Sequence, residues 1–323
     1  MGWTLSDRDG SQRPLCTSGS GTKMKRRRWL FILTLCLVVL LIGVWWALQA
    51  GERSLKPIGK TEFVTSRDGT RIAFTKLGSG PPLILVDGAF CYRGNGPAPG
   101  LAPVLAKDFT VYAYDRRGRG ESGNSGEYAV AREIEDLQAV AAVAGDAPFV
   151  AGISSGAALA LQAAASGVRM RKLALYEPPY LDSNDRHEHL ETSKAQLNNL
   201  IQANDRYGAV KYFMTDVFGA PKAFVLVMPL VMRGSWQRNE LVAHTLPYDL
   251  TILEDDSVLT SRSAQIILPV LVVGGDQSPQ PLRDAVARVA KALPHATSRF
   301  LPGQTHMLSA AAFAPVVTEF FLQ

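Results

Sequence analysis

The chain has 323 residues, 47% of them apolar and 20% charged, which excludes both a disordered polymer and a protein embedded throughout in lipid. Its formal charge of +5 is misplaced for nucleic-acid binding: residues 1–60 carry +7, so the remainder is at −2 and has no basic excess with which to release counterions from phosphates. No period of 20–50 residues repeats. Of three cysteines only Cys91 lies beyond residue 60, so neither a disulfide framework nor a metal-ligand spacing is expected, and no cofactor is implied.

Residues 1–28 read as a basic tail ending in Lys23-Met24-Lys25-Arg26-Arg27-Arg28. Residues 29–48 (WLFILTLCLVVLLIGVWWAL) contain no charge. Twenty helical residues at about 1.5 Å each reach about 30 Å, the thickness of a hydrocarbon core, so one transmembrane helix is expected here. Trp29, Trp45 and Trp46 stand where an interfacial aromatic belt would lie. The lipid bilayer is thus an expected partner, with the tail in the cytoplasm and the rest of the chain on the extracytoplasmic side. The alternative is a secreted protein cleaved near Ala50, although the run exceeds the roughly 7–15 residues of a signal core. Residues 49–60 read as a linker.

Beyond the linker, residues 63–66 and 71–76 flank the turn dipeptide Asp68-Gly69 and predict a hairpin. Continuous apolar runs at 83–86, 109–114, 149–153 and 172–176 have the pattern of strands buried on both faces. Helical patterns at 129–144 and 156–165 separate them. The alternation resumes with a strand at 270–273, a helix at 281–293, a strand at 297–301 and a helix at 310–321. Such alternation predicts a mostly parallel central sheet with helices on both faces. Residues 178–268 interrupt it with mostly helical sequence rich in aromatic and Met residues, including Phe218, Phe224 and Trp236, and read as an inserted cap. The core would then be residues 61–177 and 269–323.

Gly152-Ile153-Ser154-Ser155-Gly156 matches G-x-S-x-G, with an apolar strand before it and a helix after it. The pattern requires small residues around a serine on a sharp strand-to-helix turn. From here the chain resembles the α/β-hydrolase family over roughly residue 61 to the carboxyl terminus. Residues 114–123 (YDRRGRGESG) resemble that family's D-x-R-G-x-G-x-S loop, in which Asp115 with Arg117 would tie the turn down.

The resemblance implies a Ser-acid-His order, with Ser154 as nucleophile and His306, in the loop after the last strand, as base. His187, His189 and His244 fall in the presumed cap, and His295 beside Pro294 reads as a turn residue. The acid is expected a few residues past strand 270–273. Asp276 lies two residues early, and Ser278 holds the usual place. Asp276 is favoured, with Glu177 at the end of the preceding strand as the alternative acid. The backbone N–H groups of Ser155 and Ala89 would form the oxyanion hole.

Asp87 stands where relatives commonly carry histidine. Either it is paired, with Arg93 or Arg117, or the chemistry departs from ordinary ester hydrolysis. The function expected is a membrane-anchored serine hydrolase acting on a small-molecule ester-like substrate. The alternatives are a catalytically weak or inactive binding protein and lactone or C–C hydrolysis on the same scaffold.

Overall fold

The computed structural model describes residues 58–145, 147–182 and 185–323. The expected tail, the apolar run at 29–48 and most of the linker lie outside the described residues. Among the described residues no helix is long and apolar enough to cross a membrane.

Eight strands form one sheet in the order β1-β2-β4-β3-β5-β6-β7-β8. The expected hairpin is β1 (Thr61–Thr65) paired antiparallel with β2 (Arg71–Leu77), which also runs antiparallel to β4 (Thr110–Tyr114). The remaining pairs are parallel, through β3 (Pro82–Val86), β5 (Phe149–Ile153), β6 (Leu173–Tyr176), β7 (Val270–Gly275) and β8 (Ala296–Leu301).

Strand residues alternate between two cores. Ile84, Val86, Val150, Leu173, Leu175 and Val272 enter one cluster, and Leu83, Leu85, Ala151, Ala174, Tyr176 and Val273 enter the other. Both faces are covered, which is why these strands read as unbroken apolar runs.

Helix α1 (Ala98–Leu105) is followed by α2 (Val130–Ala144) and α3 (Ser155–Ala165); after β7 come α9 (Gln280–Ala292) and, after β8, α10 (Ala310–Leu322). Helix α1 has no counterpart in the sequence expectation. Its sequence APGLAPVL carries Pro99, Gly100 and Pro103, which read as loop. Burial of Ala98, Leu101, Ala102 and Leu105 against the sheet overrides that local bias.

Between β6 and β7 the chain is helical: α4 (Arg186–Gln202), α5 (Arg206–Tyr212), a π-helical turn (Phe213–Val217), α6 (Lys222–Val231), α7 (Arg233–Leu241) and α8 (Leu246–Glu254), with short 3-10 turns.

The chain leaves β3 for β4 on one side and returns to β5 on the other. The carboxyl ends of β3 and β5 therefore flank a topological switch point, where open α/β sheets form their ligand crevices.

Helix α3 runs close beneath that crevice because two glycines lack side chains. A Cβ on Gly152 would lie 2.6 Å from Ala157 Cα, and one on Gly156 would overlap the Val86 carbonyl oxygen. Gly156→Ala therefore forces β3 and α3 apart. It should lower stability by about 1–3 kcal/mol or more, measured as a shift of the denaturant midpoint at unchanged slope. An unshifted midpoint would remove the close crossing as a constraint.

Candidate active site

Ser154 sits at the junction of β5 and α3 with φ 56° and ψ −126°, a strained conformation for a residue with a side chain. Its N–H donates to the Tyr176 carbonyl at 2.8 Å, which holds the bend against β6. Being one residue past a strand buried at every position, the serine is lifted to the sheet's carboxyl edge and stays partly accessible.

Glu177 follows β6 directly, also at positive φ (45°), and is fully buried. Its carboxylate is satisfied on both oxygens. Oε1 accepts from Gly275 N–H at 2.7 Å and from Ser278 Oγ at 2.5 Å, and Oε2 lies 2.7 Å from His306 Nδ1. Burial pushes this carboxyl up, but the hydrogen bonds from His306, Ser278 and Gly275 outweigh it and hold the group below its usual range. Glu177 is therefore ionised at neutral pH, and an ionised carboxylate only accepts. Its partner Nδ1 must carry the proton, which leaves Nε2 of His306 free to take one.

The loop bearing His306 is fixed from β6, where Tyr176 Oη donates to the Thr305 carbonyl at 2.5 Å. Phe218 from the cap stands over the imidazole, ring centroids 5.2 Å apart.

Asp276, the residue expected as the acid, lies elsewhere in this arrangement. Asp276 N–H extends the β7–β8 ladder by donating to the Leu301 carbonyl at 3.2 Å, and its Oδ1 accepts from Gly303 N–H at 2.7 Å. It braces the turn after β8 and does not pair with His306. The alternative, Glu177, holds that position. Ser278, in the place usual for the acid, instead donates to Glu177, a role that spacing alone did not reveal.

On the other side of Ser154, the loop after β3 comes close: a Cβ on Gly88 would be 3.0 Å from Ser154 Cβ and 3.5 Å from its Oγ. The N–H groups of Ala89, in that loop, and Ser155, at the start of α3, have no acceptor among the described residues. Two free donors thus flank the serine, one of them at a helix N-terminus.

The pairings expected for Asp87 and Asp115 are not those found. Arg93 binds Asp115 at 3.0 Å and Glu121 at 2.7 Å, whereas Arg117 binds Asp136 at 2.7 Å and Asp68 at 3.0 Å. Asp87 is buried, and its Oδ1 has no hydrogen-bond partner among the described residues. Burial pushes its carboxyl from 3.8 up to about 7, against the pull of the Ala98 N–H and the Arg119 charge. Asp87 is therefore partly neutral near pH 7 and does not present a full negative charge beside Ser154. Among the described residues no three His, Cys, Asp or Glu side chains cluster as a metal site would require.

A model of the alpha/beta hydrolase family matches residues 80–319. An alpha/beta hydrolase from Sphaerobacter thermophilus is similar at 44% identity, with a TM-score of 0.73 over 80% of this chain and 100% of that one. A thermophilic esterase from Thermogutta terrifontis shares the fold at 20% identity and TM-score 0.65, over 82% of this chain and 98% of that one. An enol-lactonase from Burkholderia xenovorans does so at 19% and 0.64, over 81% of this chain and 100% of that one. No curated protein matches the chain.

Asp87 yields a pH test. With a folded pKa near 7 against 3.8 unfolded, the folded state holds the extra proton between those values. The stability this group confers is complete below about pH 3.8 and is lost as pH rises through about 7, a change on the order of a few kcal/mol. Asp87→Asn should lack that component, so its stability should overtake wild type progressively from acid to neutral pH in denaturant titrations. Parallel profiles would refute the assignment.

Proposed function

The chain belongs to the alpha/beta hydrolase family, and from that premise we propose a serine hydrolase that cleaves carboxylic esters through an acyl-enzyme. One observation carries this reading. His306 Nδ1 is 2.7 Å from a buried, ionised Glu177, on the same sheet edge where Ser154 is held in its strained bend.

In this mechanism Ser154 Oγ attacks the ester carbonyl while His306 Nε2 takes its proton. Glu177 steadies the resulting imidazolium without accepting the proton. The Ala89 and Ser155 N–H groups receive the oxyanion. The imidazolium then protonates the leaving alcohol, and a water activated by the same Nε2 releases the acid. Phe218 against the His306 ring, together with Phe90 of the loop after β3 packed edge-to-face on Phe213 at 5.1 Å, favours apolar acyl or alkyl groups. An inner ester of similar size meets the same requirements, so a lactone is the second substrate class. With Glu177 in place of the displaced Asp276, the argument for an inactive binding protein loses its main premise.

We further propose that residues 29–48 tether the protein to a bilayer, with the hydrolase domain extracytoplasmic. Support comes from the uncharged run and the basic cluster before it. Helix α6 adds to this, since its outward Phe224, Leu226, Val227 and Leu230 are 57%, 64%, 48% and 74% exposed and no carboxylate occurs between Asp216 and Glu240.

The test is steady-state hydrolysis of p-nitrophenyl acetate. Ser154→Ala should lower kcat by about 10⁵–10⁶ and Glu177→Gln by about 10³–10⁴, with Asp276→Asn within about threefold of wild type. A larger loss in Asp276→Asn than in Glu177→Gln would overturn the assignment of the acid. Undiminished turnover in Ser154→Ala would overturn the mechanism.

A further inference from the structure

The free N–H of Ala89 belongs to the same peptide unit as the Gly88 carbonyl. In a planar trans peptide these two groups point in opposite directions, so whatever fixes the carbonyl aims the N–H. The Gly88 oxygen accepts from the Cys91 N–H at 3.3 Å and, more closely, from a buried guanidinium: Arg119 Nη1 donates to it at 2.5 Å and to the Cys91 carbonyl at 3.4 Å.

Arg119 is held in turn by the cap. Its Nη2 donates to both oxygens of Asp249 on α8, at 2.9 and 2.7 Å, and its Nε donates to Thr245 Oγ1 at 3.1 Å. Asp249 Oδ1 also accepts from Ser155 Oγ at 2.7 Å and from Arg116 Nη1 at 2.8 Å. Ser155 is the residue whose backbone N–H is the second free donor. One buried carboxylate of the cap therefore touches the residue bearing one donor directly, and reaches the peptide bearing the other through a single guanidinium.

We propose that Asp249 and Arg119 are positioning residues that aim the two oxyanion donors, and that the cap is thereby part of the apparatus that stabilises the transition state. Neither side chain is placed on the substrate. Arg119 turns the Gly88–Ala89 peptide so that the Ala89 N–H faces away from the guanidinium, on the side where Gly88 packs against Ser154. Asp249 keeps Arg119 in that pose and holds the first turn of α3 through the Ser155 hydroxyl. Charge-assisted bonds between fully buried groups suit this task, since a water-exposed pair would let the peptide rotate.

The catalytic part of this inference rests on the hydrolase reading, so the test has one arm that does not. In the first arm, Arg119→Lys and Asp249→Asn are assayed against p-nitrophenyl acetate, and their affinity for a trifluoromethyl ketone, which adds the serine and forms an oxyanion, is measured. Losing one oxyanion donor costs about 10²–10³ in rate, so a misaimed donor should lower kcat by about 10–100-fold with KM changed less than about threefold. The ketone's inhibition constant should rise by a similar factor. An ester-shaped inhibitor without an electrophilic carbon should bind as before, which a merely structural defect would not spare.

The second arm is a crystal structure of Arg119→Lys, the variant that keeps the charge beside Asp249 but loses the fork. A rotated Gly88–Ala89 peptide is expected. Folded variants that keep wild-type kcat and ketone affinity overturn the proposal, as does a Gly88–Ala89 peptide that stays in place. If wild type hydrolyses no ester, the hydrolase reading falls while the peptide's orientation still decides whether Arg119 aims it.

Discussion

The bend at Ser154 depends on two missing Cβ atoms. With hydrogen alone at Gly152 and Gly156, α3 lies against the ends of β3 and β5, closer than any side chain would allow. The positive φ of Ser154 carries a strain of about 1–3 kcal/mol. It persists because the serine N–H is fixed to β6 and every residue of α3 is buried. The same closeness sets the rest of the site. It presses Gly88 against the serine, presents the Ser155 N–H beside the loop after β3, and leaves the hydroxyl at the edge where β6 and β8 deliver Glu177 and His306. Thickening this crossing would displace all of these groups together.

Where the chain is buried on both sides, its sequence announces the architecture. Strands β3 to β7 fall within a residue or two of the apolar runs that predict them, and the elbow lies between a strand and a helix as its motif requires. What spacing conveys is position along the chain; it does not convey the direction of a side chain. Asp276 and Glu177 both end parallel strands at the correct edge. The amide of Asp276 continues the ladder to Leu301, and its short side chain accepts from the Gly303 N–H and the neighbouring Gln277 amide. Glu177 turns at positive φ, and its extra methylene lets it bond to Gly275 and Ser278 while facing the imidazole. The two-position offset of Asp276 from Ser278 is the visible trace of this exchange, since a serine at the place the resemblance implies for the acid makes sense once a carboxylate arrives there from the neighbouring strand.

The arginine-rich loop was legible as a turn but not as a circuit. Arg116, Arg117 and Arg119 lie within four residues of one another, so proximity in sequence cannot sort their partners. Folding sends Arg117 to Asp136 and Asp68, Arg116 to Glu133 and Asp249, and Arg119 to Asp249, while Arg93 comes from the preceding loop to occupy Asp115. Removing so many charges from water is costly, and buried pairs seldom stabilise more than well-packed apolar groups would. Their contribution here is specificity. Each guanidinium has one set of acceptors, so the loop after β3, the first turns of α2 and α3 and the cap can meet in one register only.

Two buried carboxyls stand beside the loop after β3, and their environments push them in opposite directions. Burial pushes Asp249 up, but the Arg119 and Arg116 charges and the Ser155 hydroxyl outweigh that push, and the group stays ionised. Asp87, with an unpartnered oxygen, is pushed up by burial to about 7 against the weaker pull of the Ala98 N–H and the same two guanidinium charges. A charged Asp87 would oppose the negative charge that forms on the substrate oxygen; a charged Asp249 is already neutralised by its guanidiniums. The fold therefore accepts an acidic residue at the base of the loop because burial lowers its charge near neutral pH, while it keeps Asp249 ionised to hold Arg119. In this site the placement of guanidinium groups, more than the number of acidic residues, decides what field the substrate meets.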